Sequence, residues 1–128
     1  MWVSVSIILM HQLWTNGHIT TFVWAISGLK VSFASFLYVD DVDLATAACM
    51  PNEPDAYIIV RAQNGASCWQ GELRASGGDA KIEKSFWMLI SFTWINGTWR
   101  RKTKDEANGE LYMLGPNNEQ LKITKLDQ

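Results

Sequence analysis

The first 39 residues of the chain carry a single charged side chain, Lys30, and no acid precedes Asp40. Residues 1–10 and 21–29 are apolar runs separated by a polar stretch. Both runs fall short of the roughly 20 residues that span a bilayer, and the first lacks the basic start of a signal peptide. We therefore expect residues 1–34 to form a buried apolar segment, with a membrane segment as the alternative. Periodicity does not decide between helix and strand for residues 1–13, and Asn16-Gly17 is expected to close this segment.

The overall composition restricts the class of protein further. Of the 128 residues, 48% are hydrophobic and 19% are charged, which suits one globular domain and argues against disorder. The net charge of −2 provides no overall attraction to nucleic acid. A local basic cluster is interpreted as a solvated strand end in preference to a phosphate contact. Its members are Arg100, Arg101, Lys102 and Lys104.

The two cysteines, Cys49 and Cys68, are too few for a disulfide scaffold and lack the spacing of a zinc site. Reduced thiols are expected, which fits an intracellular protein of the cytoplasm or nucleus and not a secreted one. The seven tryptophans are expected to pack in the core, because few basic residues lie around most of them to form a nucleic-acid surface.

The centre of the chain predicts a β-hairpin followed by a helix. Residues 35–39 form an apolar strand, Asp40-Asp41 a tight turn, and residues 42–46 the returning strand. Asn52 is expected to be the N-cap of the helix, and Gly77-Gly78 its end. An apolar stripe at helical spacing lies between them. It consists of Ile58, Ala62, Ala66, Trp69 and Leu73.

The C-terminal third predicts antiparallel hairpins. An apolar strand over residues 85–94 precedes Asn96-Gly97, the strongest short hairpin signal, which pairs Ile95 with Thr98 and Trp94 with Trp99. A second hairpin is expected between residues 111–114 and 121–126. The predicted fold class is therefore α+β, with antiparallel strands and one clear amphipathic helix.

Adjacent carboxylates on a rigid hairpin are suited to holding metal ions. Two-metal phosphoryl transfer uses such carboxylates to bind Mg²⁺, although a bare Asp-Asp pair in a turn is more often simply solvated. Asp43 follows two residues later and is expected on the strand surface; the alternative is that it tunes one of the two carboxylates.

The sequence Tyr38-Val39-Asp40-Asp41 inside an apolar hairpin resembles the catalytic box of reverse transcriptases. Residues 25–44 are similar to the corresponding segment of retrotransposon-encoded enzymes, and residues 69–99 to a later segment. In that family a helix, a glycine turn and a lysine follow the box, as the helix ending at Gly77 and Lys84 do here. Taken by spacing alone, Lys84 is a surface lysine.

The resemblance implies a partial palm over residues 1–128, with the palm motifs in residues 35–94 and C-terminal hairpins in residues 95–128. The palm-like sheet would be antiparallel. The resemblance implies that Asp40 and Asp41 are catalytic and bind Mg²⁺, and that Lys84 protonates the departing pyrophosphate. The partners of the intact parent enzyme would be an RNA or DNA template-primer and dNTPs.

The sequence also departs from the family. A working palm needs a further metal-binding Asp upstream of the box, and residues 1–39 contain no acid. We therefore expect a fragment of a retrotransposon reverse transcriptase that is inactive alone and that self-associates through its uncovered apolar segment. The alternatives are a degenerate or domesticated remnant that serves as a protein-interaction module, and a small membrane-associated protein.

Overall fold

The computed structural model describes residues 2–24, 26–33, 35–38 and 41–126. Within these ranges the chain forms two α-helices, ten short strands and a 3₁₀ turn at Ile82–Lys84. In chain order the helices and strands are α1 (Trp2–Thr15), β1 (Thr20–Val23), β2 (Lys30–Phe33), β3 (Ser35–Tyr38), β4 (Asp41–Leu44), α2 (Asp55–Ala75), β5 (Phe86–Trp87), β6 (Phe92–Ile95), β7 (Thr98–Arg101), β8 (Tyr112–Leu114), β9 (Gln120–Lys122) and β10 (Thr124–Lys125).

The α+β class is confirmed, but the described strands do not form one antiparallel sheet. They form five separate two-stranded sheets, of which β1–β2, β3–β4, β6–β7 and β8–β9 are antiparallel hairpins and β5–β10 is parallel. The expectation of a wholly antiparallel sheet is therefore wrong for β5–β10. The palm arrangement itself stays a prediction.

Residues 2–13 of the segment left open between helix and strand belong to the helix α1. The helix ends at Asn16-Gly17, as the sequence predicts. Gly17 has a positive φ of 81°, and the amides of Gly17 and His18 donate to the carbonyls of Trp14 and Leu13. This is the hydrogen-bond pattern of a Schellman motif, in which glycine accepts the left-handed conformation at no steric cost.

Burial of the N-terminal segment is partial in the described residues. Leu9 and Leu13 are buried, but Ile8 beside them is 60% exposed. The second apolar run contributes to the hairpin β1–β2, where Phe22 stacks on Phe33 with ring centroids 5.3 Å apart. Several large apolar side chains of this hairpin are exposed, including Val23, Trp24 and Leu29. The structure thus differs from the expectation of a wholly buried segment, because the elements that contact it cover only one side.

The predicted central helix is α2, and it begins later than Asn52. Asn52 has a positive φ of 67° in the preceding turn, and the extended Pro54 occupies the N-cap position without a capping side chain. The expected Asn52 cap is therefore wrong. The predicted C-terminal end is confirmed, because the amides of Gly77 and Gly78 close a second Schellman motif on the carbonyls of Arg74 and Leu73.

The main core lies where α1 crosses α2. It consists of the buried side chains Leu9, Leu13, Trp69 and Leu73, with Val42 and Leu44 of β4 among the half-buried neighbours. Trp69 and Leu73 come from the predicted apolar stripe, which supports its helical spacing. The tryptophans as a group do not follow the prediction of core packing, since Trp14, Trp24, Trp94 and Trp99 are exposed.

Two glutamines of α2 bind the free edge of β8. The Gln63 side chain accepts from the amide of Tyr112 and donates to its carbonyl, both at 2.8 Å. Gln70 makes the same pair of bonds to Leu114, at 2.8 and 2.7 Å. A side-chain amide presents an N–H donor next to a C=O acceptor, as a peptide group does, so α2 satisfies the edge as a strand would. Among the described strands, only β9 pairs with β8.

The described part of the chain contains no helix that is both long enough and apolar enough to cross a membrane.

Candidate functional site

The hairpin β3–β4 carries the carboxylates singled out by the sequence. Its antiparallel register pairs Tyr38 with Asp41 and Phe36 with Asp43. Asp41 is therefore the first residue of β4, so the expected hairpin is present but Asp41 is a strand residue and not the turn residue that the sequence predicted. Val39 and Asp40, which connect the strands, lie outside the described residues.

The alternation of β4 holds the hairpin on the core and directs the acids outward. Val42 and Leu44 are half-buried against the core of α1 and α2, whereas Asp41 and Asp43 are exposed. Alternate residues of a strand share a face, so these two carboxylates lie on the same side, about 7 Å apart along the strand. The buried Thr20 hydroxyl adds a link by donating to the carbonyl of Ala45 at 2.9 Å.

Asp41 has the chemistry that a magnesium ion prefers. Mg²⁺ takes oxygen ligands and is usually bound through one or two carboxylates together with water and substrate phosphates. The exposed Asp41 has no ion pair with a described lysine or arginine. Within residues 2–24, 26–33, 35–38 and 41–126, no group of three or more His, Cys, Asp or Glu side chains is arranged to hold a metal. In the described residues, Asp41 and Asp43 are therefore separate carboxylates on the exposed face of β4. Asp40 precedes Asp41 directly in the sequence.

Lys84 ends the 3₁₀ turn that follows α2. Ile82 of the same turn is buried and Lys84 is exposed. Among the described residues, no hydrogen bond or ion pair joins the Lys84 side chain to Asp41 or to another acid. In the part of the chain that the structure describes, the Lys84 ammonium thus has no acid partner and no contact that brings it to the carboxylate hairpin.

Sequence reasoning missed the contact that fixes the loop between β4 and α2. The Arg61 guanidinium forms two bonds to the Glu53 carboxylate, at 2.5 and 2.7 Å, and one to the carbonyl of Ala47 at 2.8 Å. Glu53 also accepts from the amide of Cys49 at 2.7 Å. These bonds, first those from Arg61 and then that from Cys49, lower the pKa of Glu53 to about 2. No local sequence signal identifies the pair, because Glu53 precedes the helix and Arg61 lies within it.

A second missed contact joins the N-terminus of α2 to the segment around β6 and β7. Asp55 accepts from the Lys102 ammonium at 2.6 Å and from the Ser91 hydroxyl at 2.7 Å. Partial burial raises the pKa of Asp55, but the bonds from Lys102 and Ser91 outweigh that effect and lower it overall. A carboxylate in the first turn of a helix also interacts favourably with the helix dipole. Lys102, one of the four residues of the basic cluster, therefore forms a structural ion pair with Asp55.

Comparison with models of protein families, with curated protein sequences and with solved structures gave no significant match to this chain. The fold and the hairpin therefore define an α+β chain in which the exposed carboxylate of Asp41 begins a strand that packs on the core.

Proposed function

We propose that this chain carries the carboxylate hairpin of an RNA-directed DNA polymerase of the retrotransposon reverse-transcriptase type. The observation that supports the proposal most is the hairpin β3–β4, which holds Asp41 exposed at the start of a strand anchored by Val42 and Leu44. A carboxylate in a mobile loop would have no such fixed placement. Two-metal nucleotidyl transfer depends on placement of this kind.

In this proposal the residues have separate roles. Asp40 and Asp41 would hold Mg²⁺ through their carboxylate oxygens, and the metal would supply activation of the attacking hydroxyl and charge stabilisation of the leaving oxygen. Lys84, whose ammonium has no acid partner in the described structure, donates a proton to the departing pyrophosphate. The partners are an RNA or DNA template-primer and dNTPs, which the intact enzyme would bind.

The chain is not proposed to copy a template unaided. The reverse-transcriptase resemblance implies a further metal-binding Asp before the box, and residues 1–39 contain no acid. Purified chain with primed template, dNTPs and Mg²⁺ is expected to give no extension above background. Robust extension that is lost on Asp40→Ala would contradict this part of the proposal.

Metal binding tests the hairpin directly. Mn²⁺, used as a paramagnetic substitute for Mg²⁺, is expected to broaden the NMR signals of β3 and β4. The broadening should disappear in Asp40→Asn and in Asp41→Asn. Asp105→Asn, which neutralises an exposed acid in another part of the chain, serves as the matched control and should change nothing. Broadening that is equal around Asp41 and Asp105, or unaffected by Asp41→Asn, would refute a site at the hairpin.

A second candidate function is favoured by the exposed apolar side chains of α1 and β1–β2. Ile7, Ile8, Trp24 and Leu29 are all exposed. Contiguous apolar surface is typical of protein-interaction sites. In this candidate the chain is a non-enzymatic remnant that acts as an interaction module. Specific protein binding that is lost on Ile8→Lys, together with no Mn²⁺ effect at Asp41, would favour it over the polymerase origin.

A further inference from the structure

One face of the hairpin β6–β7 presents aromatic rings to solvent. The register pairs Trp94 with Trp99 and Phe92 with Arg101, so these four side chains share one face. Trp94 is 56% exposed and Trp99 is 67% exposed, and Phe92 is also exposed. The two indoles meet edge to face, with centroids 5.1 Å apart and planes at 74°. We call these four residues the aromatic face.

The hairpin β6–β7 is fixed at both ends, so the exposure of its aromatic side chains follows from the fold. Asn96 and Gly97 have positive φ values of 50° and 79°, as a tight two-residue hairpin turn requires. At the other end the Lys102 amide donates to the carbonyl of Ser91 at 2.9 Å. The Lys102 ammonium and the Ser91 hydroxyl also donate to the carboxylate of Asp55 in α2. The aromatic face therefore belongs to a hairpin that is fixed both by its turn and by bonds to α2.

The segment that carries the aromatic face is rich in basic residues. Residues 84–104 contain five lysines and arginines and no acid. Two of these cations have acidic partners from outside the segment, since Arg100 pairs with Glu106 and Lys102 with Asp55. Arg101 and Lys104 have no acid partner among the described residues. Arg101 lies on the aromatic face itself, so a free guanidinium stands beside the exposed rings.

We propose that the aromatic face binds single-stranded nucleic acid. Bases stack on aromatic side chains whatever their sequence, and basic side chains beside the rings bind the phosphates that join those bases. Trp94, Trp99 and Phe92 supply the rings, and Arg101 supplies the charge on the same face. A duplex binds less well, because its bases are already stacked within the helix. The inference goes beyond the polymerase proposal, since it needs neither Asp40 nor Asp41 and applies to this chain alone.

Fluorescence anisotropy of labelled oligonucleotides at low salt tests the proposal. Oligo(dT) and oligo(U) of about 12 nucleotides, within the usual range of single-strand sites, are expected to bind at least about tenfold more tightly than a duplex of the same length. Trp99→Leu should weaken binding by about tenfold or more, as loss of one base stack does. Trp24→Leu removes a tryptophan that is 64% exposed on another hairpin and is the matched control, with no change expected.

Two further variants separate stacking from damage to the hairpin. Trp99→Phe keeps a ring at the position and should retain most of the affinity. Arg101→Gln removes a charge that has no structural partner, and should lower the slope of log affinity against log salt by about 0.7. Asp41→Asn should leave oligonucleotide binding unchanged, so the inference and the polymerase proposal fail or succeed separately.

The proposal is overturned if no oligonucleotide binds at low salt. It is also overturned if single strands and duplex bind equally and Trp99→Leu has no effect. Competition by polyglutamate as effective as that by oligo(dT) would likewise overturn it, because the surface would then recognise negative charge without bases.

Discussion

At the scale of single residues, two glutamine side chains of α2 bond to the backbone of β8 in the way that a neighbouring strand would. Gln70 is buried, and its amide satisfies both backbone groups of Leu114. Gln63, seven residues earlier and thus on the same side of the helix, does the same for Tyr112. In the sequence both glutamines look like ordinary polar positions beside an apolar stripe, so their role could not be predicted from it.

Replacement of Gln70 is expected to destabilise the fold. Gln70→Ala leaves the amide of Leu114 without its partner at a part-buried position, while the carbonyl of Leu114 keeps the bond from Arg74 at 2.6 Å; the unsatisfied amide costs about 1–3 kcal/mol. The measurement is the free energy of unfolding from chemical denaturation. Gln120→Ala is the control, because Gln120 is exposed and its change should stay within about 0.5 kcal/mol. Equal effects of the two variants would show that the Gln70 bonds contribute nothing.

The pair Glu53–Arg61 gives the loop before α2 a dependence on pH. Arg61 and the Cys49 amide hold the pKa of Glu53 at about 2, below its ordinary value of 4.5. A carboxyl with a lowered folded-state pKa contributes its full stabilisation above about pH 4.5, and that contribution is lost as the pH falls toward 2. NMR titration of the Glu53 side-chain carboxyl should therefore show a midpoint near pH 2.

Two arginine variants provide the control for this titration. Arg61→Gln should raise the pKa of Glu53 and leave Glu106 at its pKa of about 2, because the Glu106 carboxylate is held by Arg100. Arg100→Gln should have the opposite pattern. If both variants shift both groups equally, the lowered pKa values come from the overall charge of the protein and not from the specific pairs.

At the scale of elements, the turns predicted from glycine are the most accurate part of the sequence analysis. Gly17 and Gly77 end the two helices, and Gly97 closes the hairpin β6–β7, each with positive φ. The Asn52 cap is wrong although asparagine is a favoured N-cap, because the same residue also tolerates the left-handed turn that it occupies here. An asparagine can therefore indicate either a helix N-cap or a left-handed turn, whereas a glycine at such a position mainly indicates the turn.

A pair of glycine substitutions tests this difference. Gly97→Ala forces an L-residue into a φ of 79° with no steric neighbour within 4 Å, so it should cost about 1–2 kcal/mol from backbone strain alone. Gly71→Ala lies inside α2, also in open space, and should stabilise by about 0.5–1 kcal/mol. Thermal unfolding of both variants measures the contrast. A stabilising Gly97→Ala would contradict the turn geometry described here.

At the scale of the whole molecule, apolar side chains are distributed over more surface than the core can cover. The core between α1 and α2 takes Leu9 and Leu13, while Ile8 and much of β1–β2 face solvent. The same helix therefore contains structural and exposed apolar positions side by side. An uncovered apolar surface above a few hundred Å² favours association.

Adjacent residues of α1 allow association and folding to be tested separately. Ile8→Lys replaces a side chain that is 60% exposed and should reduce self-association, measured by sedimentation velocity, without loss of helical circular dichroism. Leu9→Lys, one residue along, places a charge at a position that is 6% exposed and should unfold the chain, because burial of an unpaired charge costs several kcal/mol. A monodisperse wild-type monomer would refute the association.

The sequence by itself determined the features that arise within a few residues. These are the Asn96-Gly97 hairpin with its Trp94–Trp99 pair, the glycine-terminated helices, and the existence of the hairpin β3–β4 that carries Asp41. It did not determine the strand register that moved Asp41 out of the turn, nor the distribution of the strands over five small sheets.

The tertiary structure alone decided which surfaces are covered. Gln70 meets Leu114 across 44 residues of sequence, and Lys102 meets Asp55 across 47. Backbone preferences act between near neighbours, and they determine turns and helix ends. Burial depends on elements that are distant in the chain, so no local pattern could show that Trp69 lies in the core and Trp99 in solvent.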